Sequence, residues 1–238
     1  MRPVRKENYW ISLSDIMTGL MVIFMFIAIS YILKVRKQQE AKDQIIENYK
    51  NTKIALLYEL REEFEEDFAP TKWNAIIDED LSIKFLNERV LFAYDRDNIR
   101  AEFKEILDNF FPRYLNILMK DKYKESIAEV RIEGHTDSSG DYMYNVNLSQ
   151  RRTANVLDYL LNEGSTTLID FSEENRALIR FWFTANGFSS GRTLDPSGEY
   201  TLKSGNHEDR QRSRRVEFRI VVKSDEIIQK VINQMENE

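Results

Sequence analysis

The sequence predicts a membrane-tethered α+β protein: a single N-terminal transmembrane helix, a long helical stalk, and a βαβαββ domain on one mixed sheet. Three observations predict it. Residues 16–33, IMTGLMVIFMFIAISYIL, carry no charge. Residues 34–68 contain neither Gly nor Pro. Beyond Pro70, stretches of period-two and period-3.6 hydrophobicity alternate. The expected division is 1–9 as a cytoplasmic tail, 10–33 as the transmembrane helix, 34–70 as the stalk, 71–223 as the α+β domain and 224–238 as a C-terminal amphipathic helix.

The apolar run extends back through the turn from Ile11, giving about 23 residues, enough to cross a bilayer core as a helix. Tyr9 and Trp10 at one end and Tyr31 near the other are placed as interfacial aromatics. A cleaved signal peptide is disfavoured, because the run is too long for an h-region and KVRKQQEAKDQ follows it in place of a small-residue cleavage site. Arg2, Arg5 and Lys6 precede the helix, and Lys34, Arg36 and Lys37 follow it. Basic residues at both ends leave the orientation open.

Asp15 stands at the start of this run. A carboxylate near hydrocarbon is costly and points to function. It also has a plain reading, in the first helical turn behind a Ser12 or Ser14 cap, facing the positive end of the helix dipole.

In the stalk, Ile45, Tyr49, Thr52, Leu56 and Leu60 form one apolar stripe on a charged helix of roughly 50 Å, using 1.5 Å per residue. The stripe suits either a dimeric coiled coil or packing onto the following domain. Pro70 ends the helix. No separate short amphipathic plug element is visible.

The domain begins with strand material, IKFLNERVLFAYD. A helix, NIRAEFKEILDNFFPRYLNILMK, follows, with Pro112 as a candidate kink or break. Next come a strand, SIAEVRIEGHTD, a helix, LSQRRTANVLDYLLNEG, a strand, IRFWFTANGF, and a last strand, RRVEFRIVVK. Residues 189–213 between the last two strands read as a mobile polar loop of undetermined role. The tail carries Ile227, Ile228, Val231, Ile232 and Met235 on one helical face.

Composition excludes several functions. The chain has 238 residues, no Cys, two His and a net charge of −6. Disulfides and thiolate metal sites are absent, and a His-rich metal centre is disfavoured. Residues 1–37 hold six basic and two acidic residues; the other 201 hold 28 basic and 38 acidic. An acidic body argues against nucleic acid as partner. Ser138 or Ser149 with His135 and Asp137 does not make a hydrolase, since no nucleophile elbow is present. His135 reads as a structural hydrogen-bonder. By local chemistry alone, Asp137 before Ser138, Ser139 and Gly140 is a turn residue or a ligand carboxylate, and Arg152 a surface charge or its cationic counterpart.

Two stretches carry a family resemblance. WISLSDIMTGLMVIFMF resembles the membrane helix of MotB-like stator subunits, with Asp15, Met17 and Thr18 on their Asp-x-Met-Thr. The Trp-Ile-Ser lead and the five-residue spacing from Trp10 to Asp15 resemble the ZorB subunits of Zorya anti-phage systems. The resemblance implies that Asp15 carries a proton, or alternatively Na⁺, with Ser14 or Thr18 supporting it. It also implies a homodimer inside a pentameric, MotA-like (ZorA-like) membrane partner.

IEGHTDSSGDYMYNVNLSQRRTANVLDYL and SRRVEF resemble the OmpA-like peptidoglycan-binding domain. Gly134, His135, Thr136 and Asp137 match one motif, Asn145, Leu148, Ser149 and Arg152 a second, with Thr153 in place of Ala. Arg214, Arg215, Val216 and Glu217 match a third, with Ser213 in place of Asn. LFAYDRDNIRAEFKEIL resembles the family's opening segment.

That family implies binding of the diaminopimelate of the peptidoglycan stem peptide. Asp137 and Arg152 would hold its amino and carboxylate groups, and Asn145, Leu148, Ser149 and Arg214 would complete the site. Leu148–Ser149 reads as the helix start, with Ser149 as its cap. A wall-binding domain places the C-terminal part in the periplasm and the N-terminus in the cytoplasm, making a single-pass inner-membrane protein. The expected function is therefore a wall-anchored B subunit of an ion-driven rotary motor of defence type, with no enzyme activity and no cofactor. The alternatives are a flagellar MotB-type stator subunit, a static membrane-to-wall anchor, and a transporter-energising subunit.

Overall fold

A computed structural model describes residues 9–86, 88–162 and 168–223. The expected tail at 1–9, except Tyr9, and the amphipathic helix at 224–238 lie outside the described residues. In chain order the elements are α1 (Tyr9–Phe64), β1 (Ala75–Ile77), β2 (Ser82–Phe85), α2 (Glu88–Leu91), α3 (Ala101–Leu118), α4 (Asp121–Lys124) and β3 (Ile127–His135). They continue with α5 (Tyr142–Leu161), α6 (Glu173–Trp182), β4 (Phe183–Gly187), α7 (Thr201–Ser204), α8 (Arg210–Ser213) and β5 (Arg215–Val222). The chain divides into two compact units, Met1–Asn48 and Tyr49–Glu238.

The first unit contains the apolar part of α1, which is long and apolar enough to cross a membrane and is exposed along its length. Asp15, Gly19 and Thr18 are all exposed there.

The second unit is an α+β domain on a mixed five-stranded sheet in the order β1-β2-β5-β3-β4. β3 and β4 run parallel and the other pairs antiparallel. A parallel pair needs a crossover, and α5 with α6 supplies it. Along β5, Val216, Phe218, Ile220 and Val222 alternate into an apolar core, while Arg215, Glu217 and Arg219 face the opposite side. Aromatic rings centre the core: Phe110 lies 5.1–5.2 Å from the ring centres of Phe64, Phe85 and Phe218.

The end of α1 belongs to this domain. Leu56, Leu60 and Phe64 are fully buried in its core. The compact unit therefore starts at Tyr49, because the Leu56–Leu60 end of the apolar stripe packs on its own domain, while Ile45 stays exposed. Polar contacts fix it there. Arg113 on α3 donates to Glu63 Oε1 (2.6 Å) and Asp67 Oδ2 (2.8 Å) and covers the Phe64 ring. Glu59 accepts from Lys120, Lys122 and Tyr123.

Four local expectations are corrected. Pro112 does not split α3, which runs unbroken from Ala101 to Leu118. The first predicted strand is real only at its start, as β2; its later part forms α2 and a single bridge between Phe92 and Ile99. The segment IRFW is the end of α6, because Ser172 caps that helix and Ile179 and Trp182 face the core three residues apart; the strand starts at Phe183. The 189–213 segment is a hydrogen-bonded structure. Asp195 accepts from Ser197 N, Ser197 Oγ, Glu199 N and Asn206 Nδ2, and Ser213 Oγ accepts from Leu194 N.

Candidate functional site

The site grows from the C-terminal end of β3. The strand ends at His135, and Thr136 and Asp137 turn away from the sheet while remaining buried. Asp137 Oδ1 accepts from Ser139 N at 2.9 Å, an Asx-type turn. Asn145 Nδ2 donates to Ser139 O at 2.8 Å and holds the far side of the same turn. Gly140 sits at φ +86, a left-handed conformation that a side chain would strain.

α5 then starts at Tyr142, six residues before the expected start at Leu148. Asp141 is the cap, accepting from Tyr144 N at 2.9 Å. This corrects the assignment of Ser149 as a cap and ligand residue. Its hydroxyl lies inside the helix, donates to Val146 O and accepts from Ser189 N, and is fully buried. Ser149 joins α5 to the segment after β4. α5 lies unusually close to the sheet: a Cβ on Gly187 would stand 2.4 Å from Gln150 N, and one on Gly134 2.8 Å from Ser149 O.

The tight packing carries Arg152 to the same mouth. Its Nε donates to Arg96 O at 2.8 Å, its Nη2 reaches Ala93 O, and its guanidinium lies over the Phe92 ring. Those partners fix the plane of the fork, which is what bidentate carboxylate recognition requires. Arg214, immediately before β5, pairs with Asp137 Oδ2 at 2.9 Å.

Together these groups border a cavity of about 490 Å³ lined by Asp137, Asn145, Leu148, Arg152 and Arg214. The fold thus assembles five of the six wall-binding residues expected from sequence and removes Ser149. It adds Tyr94, Asp95, Thr136, Tyr144 and Arg210. Tyr94 and Asp95 lie in LFAYDRD, a stretch noticed in the sequence for its resemblance but assigned no role. Arg210 had no signal, since only the fold of the 189–213 segment brings it here.

A second polar cluster lies on the face of the sheet opposite the apolar core. Glu133, His135 and Glu217 offer ligand-type atoms within 4.8 Å of one another and are all buried. Guanidinium groups already occupy these carboxylates: Arg215 Nε is 2.6 Å from Glu217 Oε1, Arg219 reaches both acids, and Arg192 reaches Glu133. Burial, aided by the neighbouring Arg215 charge, pushes the His135 pKa down and keeps its ring neutral. Burial pushes the Glu217 carboxyl up, but Arg215 together with Lys84 and Arg219 outweighs it and holds that carboxyl far below its usual range. The arrangement is an ion-paired scaffold, and a divalent cation would meet three guanidinium groups.

On α1, Thr18 Oγ1 donates to Ser14 O at 2.8 Å, a local helix bond that does not involve the Asp15 carboxylate. Asp15 makes no side-chain hydrogen bond or ion pair among the described residues.

Comparison with known proteins gives four matches. The OmpA family model matches residues 91–201, which contain most of the pocket. The chain is 38% identical to the Zorya protein ZorB of Escherichia coli (Crooks strain), covering 96% of this chain and 94% of that one. It is 28% identical to a Zorya protein ZorB of Escherichia coli O139:H28, covering 90% and 80%. Among solved structures, a MotB-like protein from Desulfovibrio vulgaris aligns at 21% identity and a TM-score of 0.47, covering 75% of this chain and 94% of that one.

Proposed function

From the premise that this chain belongs to the ZorB family, we propose that it is the wall-anchored B subunit of an ion-driven membrane motor serving anti-phage defence. The observation that carries the reading is the presence, in one chain, of Asp15 in an apolar helix and of a pocket bearing Asp137 and Arg152. An isolated carboxylate in hydrocarbon is costly unless its charge is used. An anchoring domain supplies what a moving partner must push against.

In this reading α1 crosses the inner membrane with its N-terminus in the cytoplasm, and the α+β domain lies in the periplasm. Two copies stand inside a ring of MotA-like partner subunits. A proton arriving at Asp15 neutralises it, and its departure restores the charge. The two states favour different contacts with the ring, so each passage shifts the ring by one step. Asp137 and Arg152 grip the ammonium and carboxylate of the diaminopimelate side chain and prevent the dimer from turning.

The test is Asp15→Asn in cells carrying the complete system, with proton flux and phage protection measured together. Loss of both, with normal membrane levels and normal wall binding, is the expected result. Unchanged flux and protection would overturn the motor and leave a static anchor.

A further inference from the structure

The segment between β4 and β5 is much longer than the connection requires. Gly187, at the end of β4, pairs with Gly134, and Arg215, at the start of β5, pairs with His135. The two strands therefore flank the same end of β3, about 10 Å apart at two strand spacings. A short turn would close such a gap, yet the whole of residues 189–213 intervenes. Long connections of this kind inside a compact domain are typical of functional loops.

What the segment grips is the Asp137 turn, from both sides. Before Asp137, Thr136 N donates to Ser189 O at 2.9 Å. After it, Ser138 N (3.1 Å) and Ser138 Oγ (2.5 Å) donate to the Glu208 carboxylate. Asp137 is buried, but Ser138, Ser139 and Gly140 are exposed. Exposed backbone with little buried apolar contact opens readily unless it is tied down. Asp137 and Asn145 tie Ser139, and Glu208 ties Ser138. Glu208 is itself fixed on either side. Asn206 Nδ2 donates to the buried Asp195, and Asp209 N donates to Leu194 O at 2.7 Å. A charged acceptor is thus carried on a hydrogen-bonded frame and set against the residue that follows Asp137.

We propose that Glu208 is a positioning residue for the wall-binding site, acting through Ser138 to hold the Asp137 carboxylate at the pocket before a ligand arrives. The inference rests on the pocket's being the stem-peptide site. Glu208 does not itself border the cavity, so its effect reaches the ligand by way of the turn. Hydrogen bonds to an ionised acceptor are about twice as strong as neutral ones. A turn ordered in advance does not have to be ordered at the moment of binding, and the gain expected is about tenfold in affinity.

The test uses the full chain in detergent. Isothermal titration reads binding of a synthetic Ala-γ-Glu-diaminopimelate tripeptide, and hydrogen exchange reads residues 136–141 of the free chain. Glu208→Ala should bind the tripeptide about tenfold more weakly and exchange faster in that turn, with saturating tripeptide slowing the exchange again. Ser138→Ala loses the hydroxyl and keeps the backbone donor, so it should show a smaller loss of the same kind. The double variant should match Glu208→Ala alone, because the Ser138 Oγ bond exists only with Glu208. Glu208→Gln keeps an acceptor oxygen without the charge and should fall between Glu208→Ala and the natural chain. Natural affinity or natural exchange in Glu208→Ala would overturn the positioning role, as would losses at Ser138 and Glu208 that simply add. If Glu208→Ala does not fold, Ser138→Ala decides, and unchanged affinity and exchange there would overturn the role. All of these results leave the pocket as a peptide site. Failure of the natural chain to bind the tripeptide would remove the peptide site itself, and this inference with it.

Discussion

Arg214 and Asp137 meet at 2.9 Å although 77 residues separate them in the chain. The contact ties the residue before β5 to the turn after β3, at the rim of the pocket. Asp137 is therefore already partly neutralised before any ligand arrives. An entering ammonium must share this carboxylate with Arg214 and with Ser139 N. Asp137→Ala is expected to abolish retention of the full chain on purified sacculi, costing about 1.5–3 kcal/mol for the lost charged hydrogen bond. Arg214→Gln should weaken retention less, because it removes a competitor for Asp137 as well as a support. Co-sedimentation with sacculi reads both, and equal losses would contradict this division.

Arg152→Lys tests the fork. A lysine keeps the charge but cannot reach Arg96 O and Ala93 O together while lying flat over Phe92. Binding of a diaminopimelate peptide should fall at least tenfold, with a modest fall in melting temperature. Wild-type affinity in the lysine variant would mean that only charge matters at this position.

Leu60→Ala tests the assignment of the end of α1 to the domain core. Leu60 is fully buried, so the change should cost about 2–5 kcal/mol in denaturant unfolding of the domain. Ile45→Ala, exposed on the same helix, should change it by about 0.5 kcal/mol or less. Similar small effects at both sites would argue that Leu60 contributes to something other than the core.

Glu59 gives the domain a defined acid sensitivity. Burial pushes its carboxyl up, but hydrogen bonds from Lys120, Lys122 and Tyr123 outweigh that and hold it at about 2 instead of 4.5. Because the folded value is depressed, the stabilisation is present above about pH 4.5 and is lost as pH falls towards 2. The melting temperature should drop between pH 5 and pH 3, about those bounds, and Glu59→Gln should flatten that part of the curve. A variant with the same acid slope as the natural chain would place the sensitivity elsewhere.

Gly187→Ala should be strongly destabilising. The added Cβ would meet backbone atoms of Gln150, and neither α5 nor β4 can yield without disturbing Ser149 and Ser189. Loss of soluble, folded protein on expression is expected, with partial recovery at low temperature.

By itself the sequence determined the apolar helix, the position of Asp15 at its start, the α+β class and the motifs around Asp137, Arg152 and Arg214. These are legible because they rest on local periodicity, uninterrupted apolar length and residue spacing. Tertiary structure decided the rest. The Ile45-to-Leu60 stripe reads the same for a coiled coil as for a core helix, and only the burial of Leu56 and Leu60, with Phe64 against Phe68, Trp73 and Phe110, assigns its C-terminal end to the core while Ile45 stays exposed. Leu148–Ser149 resembles a helix start, yet Asp141 captures the first turn earlier, and close packing against Gly134 and Gly187 buries the Ser149 hydroxyl. Arg210 could not be found from its neighbours, because its place in the pocket depends on Glu208 reaching Ser138 across 70 residues of chain. Side-chain pattern reports which face is apolar; which partner covers that face is a long-range property, set by the fold as a whole.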